Sequence, residues 1–172
     1  YFVHNATTFG IDTNAIFIGG RSAGGDISLA TAYLNEKDLN DLAKTYNVNY
    51  VEELGRLDSS TNSFTDRYKL RGVINMWGPV PDTSYIDLEE IKSMPIIMFH
   101  GTDDSAVPYK LFCPPEYPYT RYGSYYIAER YRLLGGCYEL NTKIGGGHGE
   151  DFSDEFLADK ISLFLKNVLC DS

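Results

Sequence analysis

Ala15-Ile16-Phe17-Ile18-Gly19-Gly20-Arg21-Ser22-Ala23-Gly24-Gly25 is the stretch that sets the fold. A short apolar run leads into glycines around a serine, and a helical-looking segment, Asp26 to Leu34, follows. Strand, Gly-x-Ser-x-Gly, then helix is the context of a nucleophile elbow. In that turn the serine backbone is strained, and side chains two residues to either side would collide with the strand or the helix. The reward is a Ser22 hydroxyl exposed at a helix N-terminus, where the Ala23 amide and the helix dipole can stabilise an oxyanion. Taken alone, the same string also fits an ordinary Gly/Ser loop, so the rest of the chain has to decide.

A chain of 172 residues can bury one core and reads as a single domain. Hydrophobic residues make up 43% and charged residues 23%, the balance of a globular protein. No apolar run approaches the roughly 20 residues that cross a bilayer. The net charge is −9, and no Lys/Arg cluster interrupts it, so neither nucleic acid nor an anionic membrane is an expected partner. Fourteen tyrosines are many for this length, and several crowd between Tyr109 and Tyr138. They serve either packing or an aromatic, hydrogen-bonding rim around a polar or sugar-bearing ligand. Cys113, Cys137 and Cys170 are too few for a disulfide-built fold and too scattered for a zinc site, though Cys113 and Cys137 could be bridged in a secreted protein. Asn5-Ala6-Thr7 is a formal glycosylation sequon. A secreted or periplasmic location is expected ahead of a cytoplasmic one.

Apolar spacing predicts a helix over Tyr1 to Phe9, stopped by Gly10, then a strand over Ala15 to Ile18. In the helix after Ser22, the spacing of Ile27, Ala30 and Leu34 predicts the inward stripe. Residues 35–70 read as an insertion. Leu39, Leu42, Ala43 and Tyr46 suggest a short amphipathic helix, Tyr50, Val51 and Leu54 another turn or two, and Asp58 to Ser63 an exposed loop. The insertion is either a small cap over the elbow or a long crossover connection. Strands are predicted over Arg71 to Trp77, Pro95 to Gly101 and Cys137 to Ile144, with a polar turn or short helix over Asp82 to Glu90. Val107 to Tyr122, with Pro114, Pro115 and Pro118, is expected to be irregular. Ser124 is expected to cap a helix carrying Tyr126, Ile127, Tyr131 and Leu134. Ser153 is expected to cap a last one with a stripe of Leu157, Ile161, Phe164, Leu165 and Val168. Short apolar strands alternating with helices predict an α/β fold, a mostly parallel sheet with helices on both faces.

In such sheets ligands sit beyond the carboxyl ends of the strands, and there the chain carries Ser22, Asp103, Asp104 and His148. A serine hydroxyl needs a base to attack an ester at neutral pH, and the base needs a carboxylate to orient it. His148 stands between glycines on a loop after a strand, well placed to reach across to Ser22. His4 is assigned to a helix and His100 ends a strand, so neither is placed to be the base. Asp26, Glu150 and Asp151 read as charges at helix starts.

The elbow Gly20-Arg21-Ser22-Ala23-Gly24-Gly25, the segment His100-Gly101-Thr102-Asp103-Asp104-Ser105-Ala106-Val107-Pro108-Tyr109 and the loop Gly145-Gly146-Gly147-His148-Gly149 resemble motifs of α/β-hydrolases of the carboxylesterase/lipase kind. The resemblance spans nearly the whole chain and implies that residues 1–172 are the C-terminal part of such a catalytic domain. By the pattern His-Gly-Thr-x-Asp followed by Val-Pro, it implies that Asp104 is the acid of a Ser22–His148–Asp104 triad, with Asp103 a neighbour. It also implies an oxyanion donor at Ala23 and no metal or cofactor. Candidate pocket residues are Arg21, Trp77, Tyr109 and Tyr126.

The family's sheet normally has about eight strands, and a loop after the third supplies a further oxyanion amide, often from an HGGG-like motif. This chain has no such motif. Its N-terminal strands are therefore expected upstream or in another chain, and Ala15 to Ile18 would otherwise be a bare apolar edge. The implied activity is hydrolysis of small-molecule or polysaccharide-linked carboxylic esters through an acyl-enzyme, acetyl and feruloyl esters included. The alternatives are a serine peptidase of prolyl-oligopeptidase type, where the residue after the serine is more often Tyr than Ala23, and a non-catalytic binding domain on the same fold.

Overall fold

The computed structural model describes residues 1–47, 49, 63–64, 68–113, 120–149 and 151–170. Strands β1 (Ile16–Arg21), β2 (Leu70–Met76) and β3 (Ile96–Gly101) form a sheet together with a later strand, β6 (Tyr138–Lys143). The order is β1-β2-β3-β6 and every pairing is parallel. Side chains of successive residues leave a strand on opposite faces, and here they divide between two cores. Val73, Ile96 and Met98 point into one core, Ile74, Ile97 and Phe99 into the other. Helices α2 (Ala23–Tyr33), α4 (Leu88–Ser93) and α5 (Ser124–Leu134) cover the first face through Leu29, Tyr33, Ile91, Ile127 and Tyr131. Helix α6 (Asp154–Cys170) covers the second through Leu157 and Phe164. The predicted mostly parallel sheet with helices on both faces is the observed one.

Several local expectations change. The helix predicted over Tyr1 to Phe9 shrinks to α1 (Ala6–Phe9), which has no side-chain cap and buries nothing. Four residues without a packed face cannot offset the cost of nucleating a longer helix. Strand β1 continues to Arg21, because Gly19, Gly20 and Arg21 keep their register with Ile74, Asn75 and Met76. The inward stripe of α2 is not Ile27, Ala30 and Leu34. Ile27 is exposed, while Gly25, Ser28, Leu29 and Tyr33 are buried. Gly25 sets this phase, since a Cβ there would lie 2.6 Å from Asn75 Oδ1 and 2.9 Å from Gly78 Cα. The glycine face must therefore press on the end of β2.

The predicted amphipathic helix after Leu34 is α3 (Glu36–Tyr46), started by a capping box in which Asn35 accepts from the Lys37 and Asp38 amides. Tyr50, Val51, Leu54 and the loop from Asp58 to Asn62 lie outside the described residues. Between Asp82 and Glu90 the chain makes a 3₁₀ turn (Thr83–Tyr85) and then enters α4 through a capping box between Asp87 and Glu90. Pro114, Pro115 and Pro118 also lie outside the described residues. On either side of them β4 (Leu111–Phe112) and β5 (Arg121–Tyr122) pair antiparallel, so the segment expected to be irregular holds a small ribbon. Ser124 does not cap α5: Gly123 is the cap residue, and the Ser124 side chain turns fully buried into the protein. Ser153 does cap α6, accepting from the Phe156 amide.

Candidate active site

The carboxyl ends of β1, β3 and β6 deliver the chemically interesting residues to one place. Ser22 follows β1 directly and precedes α2, with φ 53° and ψ −119°. A positive φ is uncommon for a non-glycine residue and marks strain that its surroundings must hold in place. Two contacts hold it: the Ser22 amide donates to Met76 O at the end of β2, and Gly20 packs against Gly24 beneath the turn. Ala23 opens α2, so its amide belongs to the first helical turn, whose N–H groups lack partners within the helix.

Ser22 Oγ lies 2.8 Å from His148 Nε2, and His148 Nδ1 lies 2.7 Å from Asp104 Oδ2. The other carboxylate oxygen of Asp104 accepts from the Ala106 and Val107 amides at 2.9 and 2.8 Å. The Asp104 side chain is fully shielded from solvent, whereas His148 keeps 28% exposure. The acid and histidine loops are also bound to each other. Asp103 N donates to Gly146 O and Gly145 N donates to Thr102 Oγ1, while within the histidine loop Gly147 N donates to the Asp151 carboxylate. Asp151 thus braces the histidine loop instead of serving only as a helix-start charge; Glu150 lies outside the described residues. Asp103 is exposed and accepts from Thr102 Oγ1.

The candidate pocket residues separate into two groups. Arg21 donates to Gly149 O beyond His148, and its guanidinium lies 5.2 Å above the Trp77 ring. Trp77 is buried with a φ of 59°, its ring 6.3 Å from that of His148 and 6.0 Å from that of Phe152. Arg21 and Trp77 therefore border Ser22 and His148. Tyr109 instead sets its ring against His100 and Tyr125 and its hydroxyl against Thr142. Tyr126 is partly exposed among Tyr122 and Tyr125. Tyr109 and Tyr125 help line a cavity of about 540 Å³ beside Asp104. A cavity of about 400 Å³ lined by Arg71, Pro95, Tyr138 and Phe164 lies at the opposite, starting end of the strands, away from Ser22.

Neither His100, which ends a strand, nor Ser124, which the sequence places as a helix cap, is expected at the site from the sequence. Both are fully buried, and they sit directly behind Asp104. His100 Nδ1 meets Ser124 Oγ at 2.8 Å, and Nε2 meets Val107 O at 2.8 Å and Asp104 Oδ2 at 3.3 Å. Burial holds His100 below the usual histidine range, more than the Val107 carbonyl and the Asp104 charge restore. The signal available in the sequence was a polar residue ending an otherwise apolar strand, which demands buried partners.

Among the described residues no group of three or more His, Cys, Asp or Glu side chains is gathered to hold a metal ion, and no helix is long and apolar enough to cross a membrane. Cys113, Cys137 and Cys170 are free and exposed.

No protein-family description matches the sequence, and no curated protein does either. Solved structures do match. A truncated carbohydrate esterase from gut microbiota superposes with a TM-score of 0.65 at 18% identity, over 98% of this chain and 65% of that one. Thermogutta terrifontis esterase 2, phosphoramylated by tabun, gives a TM-score of 0.60 at 18% identity, over 99% of this chain and 60% of that one. A bifunctional GH43-CE protein of Bacteroides eggerthii gives 0.67 at 18% identity, over 97% of this chain and 24% of that one. The chain has an α/β-hydrolase fold of the kind these esterases share, and it spans 65% and 60% of the length of the first two.

Proposed function

We propose that this chain is a hydrolase of carboxylic esters that works through a covalent acyl-serine. The observation that carries the reading is the hydrogen-bonded series from Ser22 Oγ through His148 to Asp104, ending on a serine held at positive φ. In the reaction, Ser22 Oγ attacks the ester carbonyl carbon as its proton passes to His148 Nε2. The carbonyl oxygen becomes an oxyanion, stabilised by the Ala23 amide and the positive end of α2. His148 returns the proton to the departing alcohol oxygen as the carbon–oxygen bond breaks, leaving the acyl group on Ser22. Water then attacks the acyl carbon, losing a proton to His148, and the acid is released as Ser22 regains its own. Asp104 keeps Nδ1 protonated, so Nε2 faces Ser22 as an acceptor.

Polysaccharide-linked or small acyl esters, acetyl and feruloyl among them, are the proposed substrates. Support comes from the carbohydrate-esterase neighbours and from the partial exposure of His148, next to Arg21 and Trp77. The test is labelling by a fluorophosphonate together with turnover of p-nitrophenyl acetate and of an aminoacyl-proline amide. The expected result is stoichiometric labelling of Ser22, lost in Ser22→Ala, with the ester cleaved and the amide spared. Cleavage of the amide would favour a peptidase, and no labelling at all would sink the enzyme reading.

A further inference from the structure

We propose that His100 is a positioning residue for the reaction: as a neutral imidazole locked by Ser124, it fixes the carboxylate of Asp104 that orients His148. The proposal rests on the Ser22–His148–Asp104 reading above and extends it one layer inward. Val107 O can only accept, so the proton of the His100 ring sits on Nε2, 2.8 Å from that carbonyl. On the neutral ring that burial favours, Nδ1 is then the bare nitrogen and accepts from the Ser124 hydroxyl. The same Nε2 lies 3.3 Å from Asp104 Oδ2, the oxygen that receives His148 Nδ1–H. His100 therefore holds the acid loop through Val107, whose amide donates to Oδ1, while its Nε2 closes off the inner side of Oδ2.

The protonation state matters as much as the contact. A cationic His100 would compete with His148 for the single charge of Asp104, whereas a neutral one leaves that charge to His148. The groups facing His100 are Asp104 and Val107 O from the acid loop, Ser124 from α5 and the Tyr109 ring, with His148 across the carboxylate. Burial keeps its pKa low, and the nearby His148 pushes in the same direction. A chain of polar contacts thus runs from the start of α5 through Ser124, His100, Asp104 and His148 to Ser22, so the seating of α5 on the sheet bears on the geometry at the nucleophile.

Full-length His100→Gln, His100→Leu and Ser124→Ala proteins test this. The Gln amide can place a donor near the position of Nε2, and Leu cannot. With p-nitrophenyl acetate, His100→Leu is expected to lose about tenfold in kcat, the effect of losing the one hydrogen bond that anchors the acid loop. Its KM should stay within about twofold, and His100→Gln should recover most of the loss. Equal losses in Leu and Gln, or wild-type kcat in Leu, would overturn the proposal. A second readout needs no activity: in proton NMR, the low-field His148 Nδ1–H signal should persist in wild type and His100→Gln and shift or broaden in Ser124→Ala and His100→Leu. In ¹⁵N spectra of wild type the His100 ring should carry its proton on Nε2, and the other tautomer or an imidazolium at neutral pH would overturn the proposal. If wild type neither labels nor turns over but these NMR signatures hold, the esterase reading fails while the positioning of Asp104 stands.

Discussion

Gly20 and Gly24 meet beneath the Ser22 turn so closely that a Cβ on Gly20 would lie 2.4 Å from the carbonyl carbon and oxygen of Gly24. The last residues of β1 and the first turn of α2 can come this near only without a side chain between them. That approach is what lifts Ser22 into its positive φ and out towards His148.

Gly20→Ala is accordingly expected to displace the elbow. Backbone is the obstacle, so no side chain can swing away, and the overpacking cost of about 1–3 kcal/mol falls on the turn itself. Thermal unfolding should begin at a lower temperature, and Ser22 should lose fluorophosphonate reactivity. A variant with unchanged melting and labelling would show that the turn relaxes freely.

Strain at Ser22 makes a separate prediction. Glycine adopts φ 53° without penalty, whereas alanine keeps the Cβ that serine has. Ser22→Gly should be more stable than Ser22→Ala by about 1 kcal/mol, although both lose the hydroxyl and its contact with His148. Paired denaturant titrations decide this. Equal stabilities would mean that the elbow stores no strain.

Asp104→Asn addresses the acid proposed for the site. An amide nitrogen facing His148 would favour the tautomer with Nδ1 bare, turning a protonated Nε2 towards Ser22. On the esterase reading kcat should fall by about 10⁴, with the fold retained. Asp103→Asn, at an exposed carboxylate bonded to Thr102, should leave the rate within about threefold. Comparable losses in the two variants would unseat Asp104.

Tyr131 reports on the core beneath α5. Its hydroxyl donates to Met94 O at 2.8 Å and accepts from the Tyr33 hydroxyl, all fully or nearly fully buried. Tyr131→Phe leaves the Tyr33 hydroxyl and the Met94 carbonyl with no partner from residue 131. The expected destabilisation is about 1–3 kcal/mol, above the cost of an exposed tyrosine hydroxyl. Chemical denaturation measures it, and a loss under about 0.5 kcal/mol would mean that water or another group replaces the bond.

Glu90 gives the chain a pH signature away from the site. Burial pushes its carboxyl up to about 7, the Asp87 amide pulls it back, and the Asp87 and Asp38 charges push it further up. A carboxyl with a raised folded-state pKa holds its proton more tightly in the folded chain than in the unfolded one. Its stabilising contribution is therefore complete below about 4.5 and is lost as the pH rises through about 7. Water screening of this half-buried group reduces the effect to about 1 kcal/mol. Glu90→Gln, which can keep the capping box, should flatten the loss of stability between pH 5 and pH 8 by about that amount. Parallel pH–stability curves for the two proteins would contradict it.

Much of the candidate site is legible in the sequence because its parts carry local signatures. The glycines around Ser22, the Asp-Ser-Ala-Val-Pro turn and the glycine-flanked His148 each announce a backbone conformation, and their order along the chain pairs them with strand ends. Period and apolarity likewise gave the four sheet strands and the buried stripe of α6. The phase of α2 is not legible, because helical spacing allows several and Gly25 against Asn75 and Gly78 selects one. Tyr109 and Tyr126 pack with His100, Tyr122 and Tyr125, partners that no local spacing names.

By itself, the sequence determined the α/β order of elements and the residue types at the strand ends, since both follow from short-range spacing and backbone sterics. Only the tertiary structure decided which polar groups share a carboxylate. His100, Ser124, Val107 and His148 are separated by up to 48 residues, and parallel pairing of β3 with β6 under α5 brings them around Asp104. A buried polar side chain must find partners, but its identity does not say which. Their choice is made by the packing of the sheet and its helices, which no local pattern encodes.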